Sequence, residues 1–259
     1  MNWEVSLAGL LVGAMVGATG VGGGAIMTPI LLLVLGVAPN TAIGTDLLYA
    51  SITKIFGVGV HGFAKRVDWQ VVRRLALGSL PTAAVTVMLL HQRGSNGVRD
   101  GLIMTVLGAV LILTAVAMVL MPVLIRPDAQ QRLSQSAKLL RYQPALTVIA
   151  GVVLGFLVTL TSIGAGSLGV VMLLLLYPLR LAPARLVGTD LAHAIPLALV
   201  AGIGHILLGN VDFVLLGQLL LGSLPGVWLG AHFGGKLPDR LLRVAIAVVL
   251  VAVGIKLLS

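Results

Sequence analysis

At 259 residues the chain is 58% hydrophobic and only 10% charged, with a mean hydropathy of +1.11, leaving too little polar surface to cover a water-soluble fold. Its formal net charge of +9 comes from short basic clusters between apolar runs, with few aromatics interleaved, which is a topology signal rather than a nucleic-acid surface. Cysteine is absent, which excludes disulfides, thiol chemistry and thiolate metal sites.

Apolar runs of about 20 residues, the length that crosses hydrocarbon, recur throughout, so the expected class is an all-α polytopic integral membrane protein. The start, Met1-Asn2-Trp3-Glu4, lacks a basic n-region, and the first apolar run is expected to stay in the mature protein. Residues 7–18 and 25–35 are apolar pieces of about 12 residues, roughly 18 Å of helix each, separated by Gly20-Val21-Gly22-Gly23-Gly24. Neither spans alone, so they read as one broken span or a re-entrant hairpin. A turn at 37–40 leads into a span over 41–63 that carries Asp46, Lys54 and His61. A basic loop at 65–74, a span over 75–90, a polar loop at 91–100 and an apolar span over 102–125 complete the first half. The polar stretch 126–143, with Pro127, Asp128 and four basic residues, reads as a cytoplasmic linker between a transmembrane repeat at 1–125 and a second at 144–259. Beyond it, 146–163 and 168–176 flank a second glycine break, and spans follow at 186–208, 213–233 and 241–258.

Shifted by 144 positions, residues 20–81 align with 164–225 without a gap, and 21 of the 62 positions are identical. The matches include Gly44-Thr45-Asp46-Leu47 with Gly188-Thr189-Asp190-Leu191, His61 with His205, Asp68 with Asp212, and Gly78-Ser79-Leu80-Pro81 with Gly222-Ser223-Leu224-Pro225. Apolar composition alone does not place Asp, His and Pro in register. Equivalent loops differ in charge: 64–74 carries four basic residues and its mate around Gly209 none, whereas 36–40 carries none and its mate carries Arg180 and Arg185. Cytoplasmic loops collect Lys and Arg, so the swap predicts two inverted repeats, each a broken re-entrant helical hairpin plus three transmembrane helices. That arrangement puts 13 of the 17 basic residues on the cytoplasmic side and both termini outside.

A helix broken inside a bilayer must satisfy its freed backbone groups with protein or a cavity, and half-helix N-termini attract anions. Paired breaks in inverted halves point to a transporter's midplane site; glycines that merely permit close helix packing are the plainer reading. The expected substrate-binding groups are Gly22, Gly23, Gly24, Thr45, Lys54, Ser162, Gly166, Ser167 and Thr189. Lys54 in mid-span needs a partner or a wet cavity, and on helical spacing it lies beside a face presenting Asp46, Thr53, Gly57 and His61. Its repeat mate is Ala198, so the halves are not equivalent. Asp46 and Asp190 are helix caps or protonation sites, and with His61, His193 and His205 they form the expected proton-coupling or gating set. The histidines read equally as interfacial hydrogen-bonding residues, and Ser162 and Ser167 as packing residues. No catalytic nucleophile–base pair, metal-ligand spacing, cofactor motif or ATP-binding loop is evident.

The segments 17–29, Gly-Ala-Thr-Gly-Val-Gly-Gly-Gly-Ala-Ile-Met-Thr-Pro, and 42–48, Ala-Ile-Gly-Thr-Asp-Leu-Leu, with His61, Gly-Asn-Val-Asp-Phe at 209–213 and Gly-Ser-Leu-Pro-Gly at 222–226, resemble the TauE/SafE sulfite exporter family, also known as toluene sulfonate uptake permeases. The resemblance covers nearly the whole chain. It implies a multi-pass permease of a bacterial inner membrane that carries sulfite or small organosulfur anions such as sulfonates, with protons as the coupling ion. The expected partners are a small anionic solute, protons, the lipid bilayer and a second copy in a homodimer; nucleic acid is not among them. Two alternatives stay open: a cation or metal transporter that uses the Asp and His side chains as ligands, and a membrane assembly factor without transport.

Overall fold

The computed structural model describes residues 3–19, 24–61, 67–92, 97–124, 137–178, 180–233 and 239–258. All ten elements among them are helices: α1 (Trp3–Thr19), α2 (Gly24–Leu33), α3 (Pro39–His61), α4 (Trp69–Gln92), α5 (Gly97–Leu124), α6 (Ala137–Thr161), α7 (Leu168–Leu176), α8 (Pro183–Leu207), α9 (Phe213–Phe233) and α10 (Asp239–Leu258). Each of the first five has its repeat mate five places on. The helices α4, α5, α6, α8 and α9 contain stretches long and apolar enough to cross a membrane. Large apolar side chains such as Leu77, Leu207 and Val214 face outward, where lipid rather than water would meet them. Prolines open both α3 and α8 (Pro39, Pro183), positions where the missing N–H has no intrahelical partner to lose.

The second broken segment closes on itself as a hairpin. Gln143 Nε2 near the start of α6 donates to the Leu176 carbonyl at the end of α7, and the Thr147 and Tyr177 hydroxyls are 2.8 Å apart. Its first limb is longer than the piece expected at 146–163, because the helix begins at Ala137 and takes in residues 137–143, which the sequence assigns to the linker. Gln143 and Pro144 stand at its seventh and eighth positions. Between the limbs the chain reverses through Ser162 (φ 59), Gly164 (φ 120) and Gly166 (φ 111), and the two glycines supply backbone angles that a side chain disfavours.

Packing runs across the repeats rather than within them. The broken helix α1 lies against α9, and its mate α6 lies against α4, the mate of α9. Both contacts are parallel: Gly9, Gly13 and Gly17 rest on the main chain of Leu219, Ser223 and Val227, and Gly151 and Gly155 on that of Leu75 and Ser79. In the opposite direction Gly222, Gly226 and Gly230 rest on Ser6, Leu10 and Ala14. With glycine every fourth residue on both helices, the α1 and α9 backbones meet directly, and close van der Waals contact is the main attraction available between helices in lipid. The pairs α3–α8 and α5–α10 are antiparallel. Gly44 meets His205 and Asn210 while Leu48 meets Gly202, which fixes α3 against α8, and Gly108 meets Gly254 and Leu258, which fixes α5 against α10. The helices α3 and α8 therefore form a central antiparallel pair, and the acids and Lys54 lie on it. Two apolar clusters flank this pair, one built from α3 to α8 with α10, the other from α1, α2, α3 and α9.

Candidate functional site

The expected site residues fall into three groups. Gly22 and Gly23 lie outside the described residues, Gly24 opens α2, and His61 is the last residue of α3. Thr45 and Thr189 join the repeats: Thr45 Oγ1 accepts from the Asp212 N–H at 3.1 Å, and Thr189 Oγ1 from the Asp68 N–H at 3.0 Å. These are one contact written twice, since both partners are repeat mates. His205 is engaged at both ring nitrogens, Nε2 with the Thr159 carbonyl at 3.0 Å and Nδ1 with the Asn210 side-chain amide at 3.3 Å. A neutral ring with its proton on Nε2 satisfies both contacts.

The other residues gather around the second break. Asp46 is fully buried. Thr28 donates its hydroxyl to Asp46 Oδ2, and the Ser162 hydroxyl lies beside the same carboxyl. Asp46 Oδ1 and Ser162 Oγ nevertheless lack a hydrogen-bonding partner of good geometry. Asp190, 2% exposed, meets the other limb: the Gly166 N–H is directed at its carboxyl, and Oδ1 sits where a Cβ on Gly169 would have to be. The two acids thus bracket the break. Asp46 meets the Thr28 N–H of α2 and the Ser162 side chain just past the end of α6, and Asp190 lies where α7 begins and presents its N–H groups.

Lys54 is 4% exposed in the middle of α3 and interacts electrostatically with Asp190 first and with Asp46 second. Among the described residues the ion pairs within 4 Å are those of Asp68 with Arg180 and Arg185, so Lys54 is within range of two carboxylates and in contact with neither. A buried lysine with carboxyls in range and none in contact is a candidate for a functional role. His193, also buried, binds Ser79 Oγ through Nε2 at 2.8 Å, while its Nδ1 has no partner. Ser167 occupies the N-cap position of α7 without capping it, and its hydroxyl is unpartnered.

Several participants are absent from the sequence-based set: Thr28, Tyr49, Ser79, Gly169 and Ser223. A signal for some of them existed in the repeat. Tyr49 and His193 are repeat mates, as are Ser223 and Ser79, and the Ser79–His193 pair is matched by Ser223 beside Tyr49. No group of three or more His, Asp or Glu side chains able to hold a metal ion occurs among the described residues.

Comparison with known proteins gives this geometry a context. The family described as Sulfite exporter TauE/SafE matches residues 5–257. The chain belongs to the TauE/SafE family. It is 41% identical to the probable membrane transporter protein YjnA of Bacillus subtilis over the full length of both chains. It is 28% identical to the probable membrane transporter protein YdhB of the same organism over 96% of each chain. No solved structure matches it. As a TauE/SafE protein it is a multi-pass membrane transporter rather than an enzyme, and its pathway must handle a small solute across the bilayer.

Proposed function

We propose that this chain carries a small anion, sulfite or an organosulfur anion such as a sulfonate, across a bacterial inner membrane by secondary transport. The observation that carries the reading is Lys54, a buried cation with no carboxylate within ion-pair distance among the described residues, in electrostatic range of Asp190 at the start of α7. In that cradle the Asp190 carboxyl now takes the place of an anion, with the Gly166 N–H directed at it. One negative group can be held there at a time. Loading of substrate therefore requires Asp190 to become neutral or to move, and a proton on Asp190 is the simplest way to achieve this, with His193 one turn along the same helix. Ser167 and Lys54 supply further donors to the anion, and removal of each buried donor weakens such binding.

The two repeats sit inverted in the bilayer in this reading. Support comes from the antiparallel contact of each central helix with its own mate, α3 with α8 and α5 with α10, together with the swapped loop charges. Exchange of the two inverted conformations then exposes the break first to one side and then to the other.

The test is anion flux in proteoliposomes with sulfite and methanesulfonate as separate solutes. Lys54→Ala is expected to weaken anion binding by about 10- to 100-fold, the loss of one charge-assisted donor, and Lys54→Arg to retain part of it. Flux by Lys54→Ala equal to that of the parent protein, at all anion concentrations, would remove the lysine from the mechanism. The metal-transport alternative has less support, since its ligand cluster is not found among the described residues.

A further inference from the structure

We infer that the mouth at the start of α4 and α8 is a second binding site for a small oxyanion of sulfur or phosphorus, with Arg74, Arg180 and Arg185 as its donors. Arg180 gives two hydrogen bonds to Asp68 Oδ2, from Nε at 3.2 Å and Nη2 at 3.0 Å, and Arg185 Nη2 lies 3.6 Å from the same oxygen. Tyr177, buried at the end of α7, ties in the third guanidinium. Its hydroxyl accepts from Arg74 Nη1 at 3.2 Å, and its ring centre lies 5.3 Å from the Arg180 guanidinium carbon. Among the described residues the carboxylate within ion-pair distance of this group is Asp68, so the mouth keeps an excess of positive charge. The Arg180 and Arg185 side chains remain 39% and 49% exposed. Each guanidinium has five N–H donors in a fork that matches paired oxygens, more than Asp68, Gln70 and Tyr177 take up. The N-terminal end of α8 carries no side-chain cap, and its dipole favours negative charge at the same place.

The other repeat holds the same frame without these charges. Gln218, Gly36 and Thr41 stand at the positions of Arg74, Arg180 and Arg185, and Leu33 at that of Tyr177. The corresponding mouth is a cavity of about 390 Å³ whose charged lining residues are Glu4 and Asp212, a setting that repels anions. The frame closes without arginines in one half, so stability alone does not account for them in the other. The basic mouth also adjoins the break. Thr189 accepts the Asp68 N–H at 3.0 Å and directly precedes Asp190, and Arg185 lies five residues before Asp190, about 7.5 Å along α8. An anion held at the mouth is therefore one step from the start of α7.

That the mouth is a waiting position for the substrate rests on the transport reading above. Binding at the mouth does not, and the experiment keeps the two apart. Sulfite is titrated calorimetrically into the purified full chain at low ionic strength, in detergent and then in discs of zwitterionic phosphatidylcholine or anionic phosphatidylglycerol. Two sites per chain are expected in detergent, the mouth and the Lys54 site, and added chloride weakens the mouth more than the buried site. Arg74→Gln combined with Arg185→Thr installs the residues that the other repeat uses in the same frame. It is expected to weaken one site about tenfold and to leave the Lys54 site, whose survival shows that the variant is folded. Lys54→Ala leaves the mouth site. A mouth open to sulfite in phosphatidylcholine and filled in phosphatidylglycerol supports the same donors with a lipid phosphate as their occupant. A double variant that titrates as the parent does overturns the mouth site, and so does a parent whose single site vanishes in Lys54→Ala. A single site that survives Lys54→Ala and vanishes with the arginine changes would instead strike at the anion reading of the break.

Discussion

Gly169 shows how much of the site depends on one missing methyl group. Asp190 Oδ1 occupies the space a Cβ would take, so Gly169→Ala must push the carboxyl away from the start of α7 or shift the hairpin. Anion flux is expected to fall several-fold while the protein stays folded, a result checked by pairing transport with size-exclusion profiles. The Ser79–His193 bond offers a milder test. Ser79→Ala removes a buried partner at 2.8 Å and should cost about 1–3 kcal/mol, read as a lower melting temperature. At this scale the sequence exposed the acids and the lysine, because a charge within an apolar run has few structural excuses. It did not expose Thr28, Ser79 or Ser223. Hydroxyl residues are common in membrane helices, where they bond the preceding turn, as Thr53, Thr82 and Thr159 do here. Only tertiary packing separates such residues from those aimed into a site.

Among the elements, the glycine ladders of α1 and α9 set the spacing of the scaffold. Gly222 lies on the main chain of Ser6, and Ser6 Oγ donates to the Gln218 carbonyl at 3.0 Å. Gly222→Val would force the backbones apart, with an expected loss of about 1–3 kcal/mol or more from overpacking. The same change at Gly217, where a Cβ meets nothing within 4 Å, should be tolerated; comparison of the two melting temperatures checks the point. The four-residue spacing of these glycines was legible in the sequence, but their partner was not, since a small-residue stripe states only that some helix comes close. The break at 162–167 was legible as a break. Its contacts were not, because which side chains reach the break depends on how the limbs fold back.

On the scale of the whole molecule the repeats share one frame and carry different charges. Asp68 begins α4, receives the Val71 N–H at 3.3 Å, and holds Arg180 at 3.0 Å and Arg185 at 3.6 Å. Its mate Asp212 begins α9 in the same way, receiving the Val214 and Leu215 N–H groups at 2.9 Å, but Gly36 and Thr41 stand where the arginines would be. One of the two joints between the repeats is thus clamped by ion pairs, and among the described residues the other has none. Asp68→Asn keeps a good capping residue and removes the ion pairs, worth about 0–1 kcal/mol where the guanidinium groups are exposed. Added salt should lower the melting temperature of the parent protein slightly more than that of Asp68→Asn, and Asp212→Asn should respond as the parent does. The internal duplication was plain from residues in register, and so was the helical membrane class. The exchange of partners between repeats was hidden, because alignment relates α1 to α6 and says nothing of which helix each one touches.

That exchange bears on how the protein is made. The glycine face of α1 finds its partner on α9, which leaves the ribosome roughly 200 residues later, or about 10–40 s at ordinary synthesis rates. During that interval the glycine face of α1 lacks its partner, although α4 and α6, separated by a much shorter stretch, can already dock. Assembly would then proceed from the middle of the chain outwards. Helix α1 would be among the last to settle, and a chain stalled before α9 would leave its glycine face open to whatever quality-control protease patrols the membrane.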